Sequence, residues 1–328
     1  MKSNKKRLDV KSILRFIMTK QESSIILATI LYLIIVTSVN SVFISPANIM
    51  NVFRSTGFTM IGAIGMTFVL ITGGLDLSVG SVLALGGVAT GLAFQAGLPT
   101  PVAILIGIFI GVVIGCINGL MVTRAKIPPL IVTLGMMYIA RGIVSVLTKG
   151  TPIYPLPEGF QALEQTRFFT IPAIVFIALS IAIIAHFILS KTPFGRSVYA
   201  VGGNAEAARI SGINNRKIVF SAYLIASTLA AFTGIFVAAR LGSATATAGT
   251  GFELTVICAA IIGGTSNFGG LGSIIGTVFG ALFMEILSNS LTLMRIPVYW
   301  QLLVVGFILI LAVWVDQYRR SWLQKKSV

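Results

Sequence analysis

Long apolar runs, many of them near the length that crosses a bilayer, recur along the whole sequence and constrain its fold more than any other feature. We identify ten, at residues 23–44, 57–72, 82–96, 101–122, 128–148, 170–190, 218–239, 254–262, 273–290 and 298–315. A helix needs about 20 apolar residues to span the hydrocarbon core. Charged residues make up only 10% of the 328, against about 25% in soluble domains. The sequence therefore predicts an all-α polytopic membrane protein of about ten transmembrane helices.

Lysine and arginine residues lie almost entirely between the apolar runs and indicate which ends face the cytoplasm. With the N-terminus inside, seven fall in 1–22, two in 123–128, five in 191–217 and four in 316–328, and the outer segments hold five. Inner loops of membrane proteins carry such an excess. We expect both termini in the cytoplasm, with 1–22 an amphipathic segment, 23–315 one transmembrane domain and 316–328 a basic tail. The net charge of +15 then indicates contact with anionic lipid rather than with nucleic acid.

Two polar, glycine-rich stretches interrupt the apolar pattern and predict broken helices. The first is GGLDLSVGS at 73–81, and the second is GGTSNFGGLG at 263–272. The neighbouring runs 57–72, 82–96 and 254–262 are short for a crossing. Backbone that is not helical at membrane depth must be covered by protein or line a cavity. We therefore expect broken or re-entrant helices inside the molecule, related to each other by internal duplication or by chance.

A few polar side chains within or beside the apolar runs are candidates for a translocation path or gate. Asp76 has two interpretations: Asp76 or Ser78 caps the following helix, or the carboxylate lies on the path or at its gate. Arg141 either pairs with Glu253 or Glu285, snorkels outward, or lines the path. The other candidates for lining the route are Ser78, Ser81, Asn118 and Thr133.

The motifs of common enzymes are missing from the sequence. It has no HExxH, CxxC, GxSxG or GxxxxGKS/T motif, and His186 is its only histidine. We expect neither catalysis nor a cofactor or metal site on this chain, so that ATP, if used, is bound by another subunit. Carriers driven by ions keep acids or histidines in the membrane, and this chain offers few: Asp76, Glu253 and Glu285.

The segment 191–217, between the sixth and seventh runs, predicts a short exposed helix on the cytoplasmic side. Asn204 is a good N-cap, Glu206 lies in the first turn, where the helix dipole favours an anion, and Gly212 can end the helix. Three apolar residues form the expected surface patch of this helix: Ala207, Ala208 and Ile210. An exposed helix with such a patch indicates a partner.

Within this segment, GRSVYAVGGNAEAARISGI closely resembles the cytoplasmic coupling loop of simple-sugar ABC importer permeases, of the ribose, arabinose, galactose and autoinducer-2 type. The resemblance extends from about residue 25 to 315 and includes GGLDLSVGS, TLGMMYIARG and AGTGFELTVICAAIIGGTSNFGGLGS. Ser288 beside Asn289 departs from the paired asparagines of many relatives, which leaves the cargo open. The resemblance assigns these residues to the ATPase-coupling loop: Gly195, Arg196, Gly202, Gly203, Asn204, Glu206, Ala207, Ala208, Arg209 and Gly212.

The resemblance implies the architecture of a type II ABC importer in the bacterial inner membrane. Two permease subunits, forming a homodimer in the simplest case, would pair in the bilayer. Two ATPase subunits would bind below and use ATP and Mg²⁺, with the coupling helix in a groove of the ATPase. An extracytoplasmic sugar-binding protein would deliver a monosaccharide from above. From the residues alone, an ion-coupled secondary carrier for a small polar solute is the alternative.

Overall fold

The computed structural model of the protein describes residues 21–326, and helices account for most of that range. The described α-helices are α1 (Gln21–Val39), α2 (Pro46–Ile71), α3 (Val79–Gln95), α4 (Thr100–Thr123), α5 (Pro129–Thr148), α6 (Glu158–Gln165), α7 (Ala173–Lys191), α8 (Pro193–Gly203), α9 (Ala205–Ile210), α10 (Asn215–Leu241), α11 (Phe252–Ile262), α12 (Ile274–Leu293) and α13 (Val298–Lys326). A 3-10 helix at Ser41–Ile44 and the antiparallel strands β1 (Arg167–Phe168) and β2 (Ile171–Pro172) are also present. The predicted amphipathic segment 1–22 lies outside the described residues except for its last two positions.

Seven helices of the described range are long and apolar enough to cross a membrane: α2, α4, α5, α7, α10, α12 and the part of α13 at Val298–Tyr318. Three shorter apolar helices accompany them: Ile25–Val39 of α1, then α3 and α11. Together they account for the ten predicted runs and confirm an all-α polytopic membrane protein. Because α13 continues without a break to Lys326, the predicted tail begins as part of this helix.

Helix α2 corrects the predicted run 57–72, which covers only its second half. The helix starts at Pro46, and the side chain of Ser45 before it accepts a hydrogen bond from the Asn48 amide at 3.4 Å. Asn48 is buried and exchanges two 2.9 Å side-chain hydrogen bonds with Asn289 of α12. Hydropathy misses this half of α2 because such polar side chains are satisfied by protein instead of facing lipid.

Small residues allow the central helices to pack closely. Helix α4 lies against α10 through glycines spaced four residues apart. A β-carbon added at Gly111 would lie 2.6 Å from Cβ of Ala231, and one added at Gly115 would lie 2.8 Å from Cα of Leu224. The glycine repeat is therefore used for packing within the chain, where small residues let two backbones approach.

The two predicted breaks are present and lie side by side. The first connects α2 to α3 through residues 72–78, and the second connects α11 to α12 through residues 263–273. Gly73 and Gly270 adopt positive φ angles of 79° and 78°, which glycine tolerates best. The Gly270 amide donates a 2.8 Å hydrogen bond to the carbonyl of Ile71, the last residue of α2. A backbone contact thus joins one break directly to the other.

The short helix α6 packs beside the start of α7 and the end of α10. Glu164 of α6 is 1% exposed, and its carboxylate lies 3.0 Å from Nε of Arg54 on α2. Burial raises the pKa of Glu164, and the positive charges of Arg54, Arg240 and Arg167 offset part of this rise in its pKa. Helix α6 is therefore attached to α2 by an ion pair whose carboxylate is buried.

Candidate translocation and coupling site

Asp76 lies in the first break and is fully buried. Its Oδ1 accepts two hydrogen bonds from Ser78, at 2.8 Å from the amide nitrogen and 2.6 Å from Oγ. Ser78 stands at the N-cap position of α3, yet its side chain binds none of the helix amides. Asp76 therefore satisfies a backbone amide next to the break, and the prediction that Ser78 caps the helix with its side chain is wrong.

Side chains from three further helices converge on this break. Nδ2 of Asn118 on α4 donates to Oγ of Ser78 at 3.0 Å. The carbonyl of Leu75 accepts hydrogen bonds from Oγ1 of Thr133 on α5 and from the hydroxyl of Tyr223 on α10, each at 3.3 Å. Four predicted path residues thus meet here. The sequence analysis missed Tyr223, whose only signal is the polar tip of a large ring within an apolar run.

The other two predicted path residues, Ser81 and Arg141, lie apart from this network. The hydroxyl of Ser81 is buried on α3 and has no hydrogen-bond partner in the described part of the chain. Arg141 is half-buried on α5, and its Nη1 donates to the carbonyls of Ala246 and Ala248, the second at 2.7 Å. Arg141 therefore holds the irregular segment 242–251 between α10 and α11.

Of the alternatives for Arg141, a close ion pair with Glu253 or Glu285 is not formed within residues 21–326, although the charge of Glu253 lies near enough to interact with the guanidinium. The carboxylate of Glu253 lies against Gly80, where an added β-carbon would collide with it. Glu285 instead accepts a hydrogen bond from the Thr59 hydroxyl. The guanidinium binds main-chain carbonyls because an irregular segment leaves them without helical partners.

The predicted coupling loop contains two consecutive helices, α8 and α9. Asn204 caps α9 as predicted, since its Oδ1 accepts hydrogen bonds from the amides of Glu206 and Ala207 at 3.1 and 3.0 Å. Glu206 and Arg209 form an exposed ion pair at 2.6 Å. Their hydrogen bonds lower the pKa of Glu206 and raise that of Arg209. Gly212, with a φ of 83°, follows the helix and ends it.

The apolar patch on α9 is smaller than predicted. Ile210 is 75% exposed and Ala207 is exposed, whereas Ala208 is 4% exposed and packs inward. On α8, Gly195 is buried against the end of α7 and Arg196 is exposed. The free surface of α9 therefore combines one large apolar side chain with one ion pair.

Helix α8 contacts both breaks. The hydroxyl of Tyr199 donates a 2.8 Å hydrogen bond to the carbonyl of Gly272 in the second break. Gly202 lies so close to the end of α2 that an added β-carbon would collide with the Ile71 carbonyl and lie 2.6 Å from the Gly270 amide nitrogen. The sequence analysis predicted Gly202 within the loop but missed Tyr199, and local pattern does not show that the loop and the breaks meet.

The last helix also holds the second break. Oδ2 of Asp316 on α13 accepts hydrogen bonds from the Ser266 hydroxyl at 2.9 Å and from the Asn267 amide at 3.1 Å. From the sequence, Asp316 was only the first residue of a tail, because nothing in its neighbourhood reveals a partner 50 positions away. The second break is thus fixed on two sides, by α8 and by α13.

The chemistry available at this site is hydrogen bonding and mechanical contact. In the described residues, no group of three or more His, Cys, Asp or Glu side chains is placed to hold a metal ion. Hydroxyl and amide groups from three helices instead surround the first break, which itself contributes the carboxyl of Asp76 and the hydroxyl of Ser78. The arrangement suits conformational movement around a polar break more than bond-making chemistry.

Comparison with known proteins places the chain in a family. A family model described as branched-chain amino acid transport system / permease component matches residues 48–313, which include both breaks and the coupling loop. The ribose import permease protein RbsC of Bacillus subtilis (strain 168) is 41% identical over 293 residues, covering 89% of this chain and 91% of that protein.

Two further relatives cover similar shares of the chain. RbsC of Escherichia coli (strain K12) is 37% identical over 304 residues, which is 90% of this chain and 93% of that protein. The autoinducer 2 import system permease protein LsrC of Salmonella typhi is 34% identical over 312 residues, which is 95% of this chain and 90% of that protein. No solved structure matches the chain. By the extent of these matches, the chain belongs to the branched-chain amino acid transport system / permease component family.

Proposed function

We propose that the chain is the membrane-spanning subunit of an ABC importer that moves a ribose-like monosaccharide into the cell. Its relatives in B. subtilis and E. coli are named ribose import permeases, and the one in S. typhi is an autoinducer 2 import permease. An extracytoplasmic binding protein delivers the cargo. A separate ATPase subunit binds ATP and Mg²⁺ and supplies the energy.

The junction between α8 and the two helix breaks is the observation that carries this proposal. Tyr199 binds the second break through Gly272, and Gly202 packs on the first break through Ile71. A chain that lacks a nucleotide-binding motif needs a point at which another subunit can move its membrane helices. Displacement of α8 would act on both breaks together, which is a direct route from a partner to the path.

Helix α9 supplies the surface on which the ATPase docks. Its exposed Ile210 lies beside the Glu206–Arg209 ion pair, so a groove with an apolar floor and polar edges would fit it. The segment 191–217 and both termini then face the cytoplasm of a bacterial cell, as the distribution of Lys and Arg supports. A second copy of the chain completes the pathway, as in the two-subunit importers that the sequence resembles.

The polar groups at the first break suit a sugar better than an amino acid. They include the uncharged hydroxyls of Ser78 and Thr133 and the amide of Asn118, all buried in this conformation. A cargo rich in hydroxyls would exchange weak hydrogen bonds with them once the break opens. An amino acid would bring a carboxylate, and Arg141 already gives its bonds to main-chain carbonyls. Sugar import therefore agrees better with this site than the cargo in the family's description does.

The ion-coupled carrier suggested as an alternative by the residues alone is less well supported. Its case depended on three acids inside the membrane. Glu285 is hydrogen-bonded to Thr59, Glu253 packs on Gly80, and Asp76 accepts two hydrogen bonds from Ser78. The relatives at 34–41% identity are all named import permeases. An importer subunit driven by ATP accounts for both observations.

Reconstitution in liposomes tests the proposed function. The chain is combined with the ATPase and binding protein of the same importer, and uptake of labelled ribose and labelled leucine is compared with ATP on the ATPase side. We expect ribose accumulation that requires ATP and the binding protein and that persists when a protonophore collapses the proton gradient. Uptake of leucine alone, or uptake that follows the proton gradient without ATP, would overturn the proposal.

A further inference from the structure

The fully buried carboxyl of Asp76 has one oxygen without a partner. Its Oδ1 takes both hydrogen bonds from Ser78, whereas Oδ2 has none among the described residues. A carboxylate shares its charge between two oxygens, so the ionised form would leave half of its charge buried and unsatisfied. Such a group is costly at membrane depth unless it is paired, wet or protonated.

A second acceptor without a partner belongs to the same network. Oδ1 of Asn118 is buried and unpartnered in the described range, while its Nδ2 donates to Oγ of Ser78. Since that Oγ also donates to Asp76, a single hydroxyl links the two residues. Both unpartnered atoms accept hydrogen bonds, so this site lacks a donor.

Within residues 21–326, no cation forms an ion pair with Asp76. Ser78 lies in the break itself, and the side chains that the surrounding helices present to it are Asn118 from α4, Thr133 from α5 and Tyr223 from α10. Of these only Tyr223 can titrate, and its hydroxyl donates to the Leu75 carbonyl.

The charged groups further along the neighbouring elements are engaged elsewhere. Arg141 of α5 binds the segment 242–251, and Glu253 of α11 lies against Gly80 and would add negative charge. In residues 21–326, the ion pairs are Arg54–Glu164 and Glu206–Arg209. The described side chains therefore supply no positive charge to Asp76.

We propose that Asp76 is a proton-binding site and that, in this conformation, its carboxyl is the neutral acid with the proton on Oδ2. One proton removes the uncompensated charge. It also converts an acceptor without a partner into a donor, in a network where Asn118 has an unpartnered acceptor. A proton is the smallest ligand that both neutralises the carboxylate and supplies a hydrogen-bond donor, and it leaves the packing of Ser78 unchanged.

Proton occupancy is thereby linked to the shape of the break. Water stabilises a carboxylate, so separation of α2 from α3 that wets Asp76 favours release of the proton, and closure favours its return. The energy for import still comes from ATP. The inference concerns the protonation of one side chain in the closed break and does not depend on the cargo or on the ATPase.

Infrared spectroscopy of the full-length chain tests this inference. The sequence contains three aspartates, Asp9, Asp76 and Asp316. The double variant Asp9→Asn/Asp316→Asn leaves Asp76 as the only aspartate, and because Asp316 binds the second break, the labelled Asp76→Asn chain is measured beside it as the control. Incorporation of aspartate with ¹³C at the side-chain carboxyl then shifts the bands of this one group away from those of the six glutamates.

The spectrum at pH 6 separates the two outcomes, because an ordinary aspartate with a pKa of about 3.9 is about 99% ionised there. We expect the labelled group to absorb as a protonated carboxylic acid in lipid nanodiscs. A labelled band at the carboxylate position would overturn the proposal. If the double variant does not fold, the labelled wild-type chain is compared with labelled Asp76→Asn at pH 6. An acid band that is present in the wild type and absent from Asp76→Asn supports the proposal, and the absence of any difference in the acid region overturns it. Failure of this test would leave the transport experiment unaffected, since the spectrum requires neither cargo nor ATPase.

Discussion

Tyr199 donates a 2.8 Å hydrogen bond to the main-chain carbonyl of Gly272, and this bond connects helix α8 of the coupling loop to the second helix break. Three residues later, Gly202 packs on the carbonyl of Ile71 at the first break. Residues three apart lie on the same side of a helix. One side of α8 therefore reaches both breaks, and movement of α8 is expected to reach both at once.

Removal of the Tyr199 hydroxyl should weaken coupling while the fold is kept. A net hydrogen bond contributes about 1 kcal/mol, so Tyr199→Phe is expected to lower ribose transported per ATP hydrolysed about fivefold. Tyr138→Phe is the control, because Tyr138 is 70% exposed on α5. Equal ratios in the two variants would show that the bond to Gly272 does not transmit movement.

A methyl group at Gly202 should disrupt the junction itself. An alanine β-carbon there would collide with the Ile71 carbonyl, and overpacking of this kind costs about 1–3 kcal/mol. We expect Gly202→Ala to reduce ribose uptake about fivefold to 150-fold in the reconstituted importer. Gly203→Ala is a matched control, since its added β-carbon meets nothing within 4 Å. If both variants transport normally, the close approach of α8 to α2 is unimportant for function.

Charge reversal on α9 should uncouple ATP hydrolysis from uptake. Glu206→Arg and Arg209→Glu change an exposed ion pair that contributes little to stability, so insertion and folding should be normal. Docking to the ATPase should be lost, as measured by co-purification and by uptake per ATP. The double swap restores the ion pair but inverts the docking surface, so it should remain uncoupled. Recovery in the double swap would show that the pair itself matters and that its partner surface does not.

Arg141 should hold the segment 242–251 in place. Its two bonds go to Ala246 and Ala248, and hydrogen bonds to charged groups contribute about 1.5–3 kcal/mol each. Arg141→Met is expected to accelerate amide hydrogen exchange in 242–251 at least tenfold, and Arg141→Lys less. Glu253→Gln should accelerate exchange there less than Arg141→Met, because Glu253 forms no close ion pair with Arg141 and interacts with it only through charge. A similar acceleration in Glu253→Gln would instead support a functional pair between these two charges.

The buried carboxyl of Glu164 should make stability depend on pH. Burial raises its pKa in the folded chain above the value in the unfolded chain. The folded state then binds the proton more tightly, so this group's contribution to stability falls as pH rises through the two values. Relative to wild type, Glu164→Gln should gain stability as pH increases from about 4 to 7. Thermal unfolding measures the difference, Glu158→Gln on the exposed side of α6 is the control, and an opposite slope would contradict the sign.

The sequence was sufficient for features that depend on local pattern. Apolar runs of bilayer length located the membrane helices, glycine pairs beside polar turns located both breaks, and the N-cap preference of Asn204 located the start of α9. Each of these follows from a few neighbouring residues, because helix capping, chain flexibility and lipid burial are local effects.

Features that depend on distant partners were missed or wrong. The first half of α2 was missed because it contains polar residues such as Asn48. This side chain is buried and hydrogen-bonded to Asn289, 241 positions away. Pairing with a carboxylate was one expectation for Arg141, but its guanidinium binds main-chain carbonyls of the irregular segment 242–251. The junction of α8 with the breaks depends on such long-range contacts as well, and the spacing of residue types along the sequence does not reveal them.

Transport of ribose against its concentration gradient by the chain alone is the most direct test of whether a partner subunit drives the movement of the membrane helices. The purified chain is reconstituted without ATPase, with and without an imposed proton gradient, and labelled ribose is followed over time. We expect no accumulation above the outside concentration until the ATPase and ATP are added. Accumulation of ribose against its gradient by the chain alone would contradict a permease that is driven through α8 and α9.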